Sequence, residues 1–100
     1  MHTVPRRKVT IVAEALLEDR IVREIRALGA LGFTIAETRG EGSRGVRAAD
    51  WEGRNVRIET IVGGEVAAAI LAHVADHYFA HYAVIAWVDD VEVVRGDKYG

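Results

Sequence analysis

Arginines, glycines and a serine are concentrated in one short segment of the chain, residues 37–47. These eleven residues hold three glycines, three arginines and Ser43, the only serine in the sequence. Glycine lets a backbone approach a ligand closely with its N–H groups bare, and arginine offers a rigid, permanently charged fork for phosphate or carboxylate. The segment therefore predicts an anion cradle, with a nucleotide as the favoured ligand, although a solvated hairpin carrying a run of charge would have the same composition.

A second group of residues has a spacing that could bind a metal ion. His73, His77 and His81 follow one another at intervals of four, so His73 and His77 would share one face of a helix. A polar stripe beside an apolar core stripe has the same spacing, and we favour it because the chain holds no HExxH motif. A metal site at His73 and His77 stays open as an alternative.

The composition limits the classes of protein to be considered. The chain has 100 residues, half of them hydrophobic, and a formal net charge of −2, so we expect one domain over residues 1–100 that does not bind nucleic acid in general. It has no cysteine, which excludes disulfides and cysteine-ligated zinc and agrees with a cytoplasmic location. No apolar run approaches the length of a membrane span, so we expect no direct membrane insertion.

Hydrophobic periodicity predicts the elements that would position these residues. Apolar residues recur every three or four positions over residues 17–28 and 66–78, which indicates two helices. Stretches rich in β-branched residues predict four strands, at residues 8–13, 33–38, 55–62 and 83–95. The order β-α-β-β-α-β predicts an α+β, ferredoxin-like fold, an antiparallel sheet with two helices on one face. The first and last strands carry apolar groups on both sides, so we expect further copies of the chain to cover the second face.

One motif and three shorter pieces carry a resemblance to a known family. Residues 38–47 read Thr-Arg-Gly-Glu-Gly-Ser-Arg-Gly-Val-Arg, and their Gly-Ser-Arg-x-Val-Arg core is a hallmark of one subgroup of the PII-like signalling proteins. Supporting pieces are found at residues 29–34, at residues 56–59, and at residues 78–79 with 82–83. Over about residues 8–96 the chain resembles the PII-like proteins, most closely the carboxysome-associated and bicarbonate-transporter-associated, SbtB-like subgroup.

The resemblance implies a homotrimer of ferredoxin-like subunits whose sheets face inward. Adenine nucleotides (AMP, ADP, ATP or cyclic AMP) would bind in clefts between subunits at the base of a T-loop, here about residues 42–54, and we expect ADP or AMP. Some members of the subgroup also hold bicarbonate beside the nucleotide. Members are tied to inorganic-carbon uptake or carboxysomes, so the resemblance implies a bicarbonate transporter or a carboxysome-linked protein as partner.

The resemblance also assigns roles to individual residues of the cleft. The phosphates would be cradled by four residues, Gly40, Gly42, Ser43 and Arg44. Arg47 would add positive charge. Thr34 and Thr38 would lie near the nucleotide, Ile61 near the adenine through its backbone, and Arg95 and Gly96 where the last strand approaches the site. The candidates for binding bicarbonate are Arg44, Arg47 and Arg57, because a guanidinium fork matches a small planar anion.

Catalysis has little support in the sequence, so we expect a non-catalytic protein. Ser43 does not lie in a Gly-x-Ser-x-Gly motif, and no pair of carboxylates has a spacing that suggests acid–base chemistry. A small acylphosphatase-like hydrolase is the enzymatic alternative, since acylphosphatases share this topology and use an arginine loop near the first strand. Residues 12–18 hold neither arginine nor glycine, which argues against it.

Overall fold

The computed structural model describes residues 1–39 and 54–95, which form a four-stranded antiparallel sheet with two helices. The strand order across the sheet is β2-β3-β1-β4. The strands are β1 (Val4–Glu14), β2 (Thr34–Thr38), β3 (Asn55–Val62) and β4 (Ile85–Val93). A short 3-10 helix (Ala15–Leu17) precedes α1 (Glu18–Ala27), and α2 is Gly64–Tyr78. The predicted ferredoxin-like fold is confirmed.

The strand β1 begins at Val4, whereas its apolar alternation predicts a strand over residues 8–13. It pairs with β4 from Val4 onward, so its basic residues lie opposite the acidic residues of β4. The Nε atom of Arg7 lies 2.9 Å from a carboxylate oxygen of Asp90. Cross-strand pairs of opposite charge stabilise a sheet without any apolar side chain, which is why hydrophobic periodicity misses this extension.

Both helices pack on one face of the sheet. Alternate residues of a strand point to the same side of the sheet. On β1 and β3, the residues that point toward the helices form one core cluster with buried residues of both helices. The cluster includes Val9, Ile11, Ala13, Val56, Ile58, Ile21, Ile25, Ile70, Val74 and Tyr78. The helix stripes predicted from spacings of three and four are confirmed.

The opposite side of the sheet has no helix over it in the described residues. We call it the open face, and it is formed by Thr10, Val12, Glu59, Ile85 and Trp87 with their neighbours in the register. The side chains of Ile85 and Trp87 are large and apolar, yet these residues are 58% and 41% exposed. Thr10 is fully buried at the centre of this face, and its hydroxyl has no hydrogen-bond partner within the described ranges. Exposed apolar groups here are typical of a surface that another molecule covers.

One end of the sheet gathers three chain connections. The strand β1 ends at Glu14 opposite Asn55, where β3 begins, and β2 ends at Thr38, also opposite Asn55. The strand β4 begins at the same end, with Ile85 opposite Val12. We call this the loop end: the β1–α1 connection, both ends of the β2–β3 connection (residues 39–54) and the α2–β4 connection (residues 79–84) all lie there.

A glycine ends the first helix and turns the chain toward β2. Gly29 has a φ of +121°, a conformation that side-chain-bearing residues rarely adopt. A Cβ atom at Gly29 would lie 3.0 Å from Cγ2 of Val66 in α2. The chain therefore passes close to α2 at this point. Within residues 1–39 and 54–95, neither helix combines the length and hydropathy needed to cross a membrane.

Candidate functional site

The β2–β3 connection, which contains most of the arginine-rich segment, leaves and rejoins the sheet at the loop end. Most of the T-loop predicted at residues 42–54 lies outside the described residues, and so do six of the predicted site residues: Gly40, Gly42, Ser43, Arg44, Arg47 and Gly96. Their roles stay predictions. The described residues fix the two points between which the segment runs, Thr38 and Asn55, which are partners across β2 and β3.

The base of the T-loop is held by two further contacts. A guanidinium nitrogen of Arg54 lies 3.8 Å from a carboxylate oxygen of Glu37, which joins the two ends of the segment. The backbone N–H of Ala15 donates a hydrogen bond of 3.3 Å to the carbonyl oxygen of Arg54. The ion pair is exposed and contributes little stability, but together with the strand pairing these contacts determine where the segment starts and ends.

The predicted site residues that the structure describes are spread along the sheet, with Arg57 near the loop end and Thr34 opposite Glu59 in the middle. Thr38 lies at the loop end, whereas Ile61 lies six residues further along β3 from Asn55, about 20 Å away. Arg95 follows β4, which ends at Val93 opposite Val4, so it lies about 30 Å from the loop end. Within one subunit the structure therefore does not bring Thr38 and Arg95 together.

Arg57 lies on the open face, where a carboxylate partly neutralises it. The Nε atom of Arg57 is 3.5 Å from Oε2 of Glu59, and the Nζ atom of Lys8 is 3.9 Å from the same oxygen. Residues two apart on a strand share a face, which is the signal that could have identified Glu59 from the sequence. An anion at Arg57 would compete with Glu59 for the guanidinium.

The histidines on α2 take part in local contacts. Nε2 of His73 hydrogen-bonds a carboxylate oxygen of Glu24 at 2.9 Å, and Nδ1 of His77 hydrogen-bonds the carbonyl oxygen of His73 at 2.9 Å. Their rings stack with centroids 4.0 Å apart. His81 lies beyond the end of α2 at Tyr78. In the part of the chain that the structure describes, no three histidine or carboxylate side chains are grouped to hold a metal ion.

Glu24 is the centre of a polar network between the helices that sequence reasoning missed. The hydroxyl of the fully buried Tyr78 donates a hydrogen bond of 2.6 Å to the oxygen that also bonds His73, and Nε of Arg20 lies 3.4 Å from the other oxygen. Burial acts to raise the pKa of Glu24, but the hydrogen bonds from Tyr78 and His73 outweigh burial and hold it below the usual value. Burial and the Glu24 hydrogen bond raise the pKa of Tyr78, so this hydroxyl remains a donor.

Tyr82 extends this network toward the loop end. The guanidinium carbon of Arg20 lies 4.8 Å from the ring centroid of Tyr78 and 5.9 Å from that of Tyr82. The neighbouring Tyr82 hydroxyl is the largest of the influences that raise the pKa of Arg20. We call Arg20, Glu24, His73, Tyr78 and Tyr82 the helix network. No local sequence pattern indicates a role for Glu24, because its partners on α2 are 49 and 54 residues away in sequence.

Known proteins share both the sequence pattern and the fold. A model of the family described as nitrogen regulatory protein P-II matches residues 6–98. A crystal structure from Thermus thermophilus, assigned to a PII-like signalling protein, is 60% identical to the chain, covers 100% of each chain and has a TM-score of 0.87. CPII from Thiomonas intermedia K12, bound to ADP and bicarbonate, is 22% identical, covers 99% of this chain and 98% of its own, and has a TM-score of 0.86.

Proposed function

Because this chain belongs to the nitrogen regulatory protein P-II family, we propose that it is a non-catalytic signalling protein that binds an adenine nucleotide between the subunits of a homotrimer. The observation that carries the proposal is the separation of Thr38 from Arg95 along the sheet. A site that needs both residues requires the loop end of one subunit to meet the opposite end of a neighbouring subunit. A cleft between subunits supplies that arrangement.

ADP or AMP is the proposed ligand. CPII from Thiomonas intermedia K12, which shares the fold, is found bound to ADP, AMP and bicarbonate. In this chain the phosphates would lie against Gly40, Gly42, Ser43 and Arg44, with Arg47 adding charge, because bare N–H groups and guanidinium forks both favour phosphate oxygens. Thr34 and Thr38 would border the nucleotide, and the backbone of Ile61 would face the adenine across the cleft.

The T-loop would report which nucleotide is bound. AMP, ADP and ATP differ in the negative charge that they place beside Arg44 and Arg47, so each would favour a different population of loop conformations. A partner protein that binds one conformation better would then respond to the adenylate state. If the chain acts as SbtB-like proteins do, that partner is a bicarbonate transporter or a carboxysome-linked protein, and the process is inorganic-carbon uptake.

Bicarbonate would be bound by the arginines of the T-loop. The guanidinium of Arg57 already lies beside the carboxylate of Glu59, which would compete with a bound anion and weaken its binding. Arg44 and Arg47 are therefore the stronger candidates for binding bicarbonate. A bicarbonate ion beside the nucleotide phosphates would add negative charge to the same arginines, so the two ligands would influence each other's affinity.

Calorimetric titration with AMP, ADP, ATP and cyclic AMP, each with and without bicarbonate, tests the proposal. We expect ADP and AMP to bind in the micromolar range and Arg44→Ala to weaken binding by at least about tenfold, since a charged hydrogen bond to phosphate is lost. Arg23→Ala is the matched control, because Arg23 is an exposed arginine on α1. The proposal fails if the unmodified protein binds none of the four nucleotides.

The open face is the surface on which the homotrimer would assemble. We expect light scattering to give three times the subunit mass of 11.0 kDa for the unmodified protein. Ile85→Asp would yield monomers, because it places a carboxylate where an apolar side chain, 58% exposed in the single subunit, would be covered. Ala72→Asp, on the exposed side of α2, serves as control and should remain a trimer. A trimer that tolerates Ile85→Asp would contradict assembly through this face.

A further inference from the structure

The short 3-10 helix and the first turn of α1 touch two different chain connections at the loop end. The backbone N–H of Ala15 donates to the carbonyl oxygen of Arg54, the residue immediately before β3. Five residues further on, the guanidinium carbon of Arg20 lies 5.9 Å from the ring centroid of Tyr82, which belongs to the α2–β4 connection. Residues 15–20 therefore join the base of the T-loop to the α2–β4 connection.

Several contacts position the α2–β4 connection. Backbone bonds hold it at its two ends, from the N–H of Tyr82 to the carbonyl of Tyr78 at 2.9 Å and from the N–H of Val84 to the carbonyl of Tyr82 at 3.0 Å. The ring of Tyr82 packs against Tyr78 with centroids 5.7 Å apart. Tyr82 also packs against the hydrophobic core cluster, and Arg20 adds a charged contact from α1.

The side chain of Arg20 is oriented by Glu24 and, through it, by α2. Its Nε atom lies 3.4 Å from Glu24, one turn further along α1, and Glu24 is in turn fixed by Tyr78 and His73 of α2. A guanidinium that is bonded to a carboxylate and stacked over two rings keeps one orientation. The α2–β4 connection is thus positioned by both helices rather than by α2 alone.

We propose that Arg20 is a positioning residue for the nucleotide site, which holds Tyr82 and the α2–β4 connection against the base of the T-loop. The inference rests on the proposed function, because it takes the nucleotide to bind at that base. Both connections meet the sheet at the loop end, so a nucleotide bound at the base of the T-loop would lie beside residues 79–84. A displaced connection would change the shape of that wall.

The test compares ADP affinity with thermal stability in four proteins. Arg20→Met keeps the aliphatic stem but loses the fork, and we expect it to weaken ADP binding about fivefold with little change in the melting temperature. Arg20→Lys retains the charge without the planar fork and should restore part of the affinity. Arg23→Met removes a guanidinium from the exposed surface of the same helix and should bind ADP like the unmodified protein.

Two further variants separate positioning from folding. Tyr82→Phe keeps the ring beside the Arg20 guanidinium and removes only the hydroxyl, so it should weaken ADP binding less than Arg20→Met, and the two effects should not add in the double variant. Normal ADP binding by Arg20→Met would overturn the inference and leave the proposed function intact. Failure of the unmodified protein to bind any nucleotide would overturn both.

Discussion

Replacing Glu24 by alanine is expected to lower the free energy of unfolding by about 2–3 kcal/mol. The carboxylate accepts hydrogen bonds from Tyr78 at 2.6 Å and from His73 at 2.9 Å, and Tyr78 is fully buried. Without Glu24 the tyrosine hydroxyl becomes a buried donor that has lost its acceptor, which costs more than the hydrogen bond itself contributes. Urea denaturation followed by circular dichroism measures the change.

Tyr78→Phe provides the matched control. It removes the donor but leaves Glu24 bonded to His73 and Arg20, so the expected loss is about 1 kcal/mol. The double variant should be more stable than the sum of the two single losses predicts. Equal losses for Glu24→Ala and Tyr78→Phe would contradict the central role of Glu24.

The pH dependence of unfolding gives an independent check on the same group. The pKa of Glu24 is lower in the folded state than its ordinary value, so its contribution is fully present above that ordinary value. The contribution is lost as the pH falls from the ordinary value through the lowered one. Glu24→Gln should therefore flatten the acid side of the stability profile, and an unchanged acid side would count against the network.

Gly29→Ala is expected to destabilise the fold by about 2–3 kcal/mol. The backbone at Gly29 has a φ of +121°, which a residue with a side chain adopts only with strain. The new Cβ atom would also lie 3.0 Å from Cγ2 of Val66, closer than real Cβ contacts normally come. Either the end of α1 or the start of α2 must shift, and thermal and urea denaturation would report the loss.

Gly32→Ala is the control for Gly29→Ala. Gly32 lies three residues further along, needs no positive φ, and a Cβ atom added there would have no heavy atom within 4 Å among the described residues. Its replacement should leave the stability within about 1 kcal/mol or raise it slightly, because alanine restricts the unfolded chain. If both alanine variants are equally stable, the strain at Gly29 is absent.

The fold could be predicted from the sequence because apolar residues recur with one spacing in the helices and with another in the strands. The stripe of Ile70, Val74 and Tyr78 marks α2, and the alternation of Val9, Ile11 and Ala13 marks β1. The first residues of β1 could not be predicted, because Arg7 is held there by Asp90, 83 positions away. The spacing of residues within one segment contains no information about a partner so far away in the sequence.

The candidate site was only partly predictable for the same reason. The arginine-rich run and its glycines are contiguous, so their composition alone suggested an anion cradle, and their roles in nucleotide binding remain predictions. The helix network instead joins residues of α1, α2 and the α2–β4 connection, each of them ordinary within its own segment. Only the packing of α1 against α2 shows that Glu24 and Arg20 face Tyr78.

The position of β4 at the edge of the sheet bears on how copies of the chain can associate. An edge strand exposes backbone groups that can pair with a strand of another molecule and so start an open-ended aggregate. β4 carries Asp89, Asp90 and Glu92, and pairing two copies of this strand would bring like charges together. Pairing of two β4 edges is thereby disfavoured, whereas face-to-face packing into a closed ring of defined size brings these charges into no such opposition.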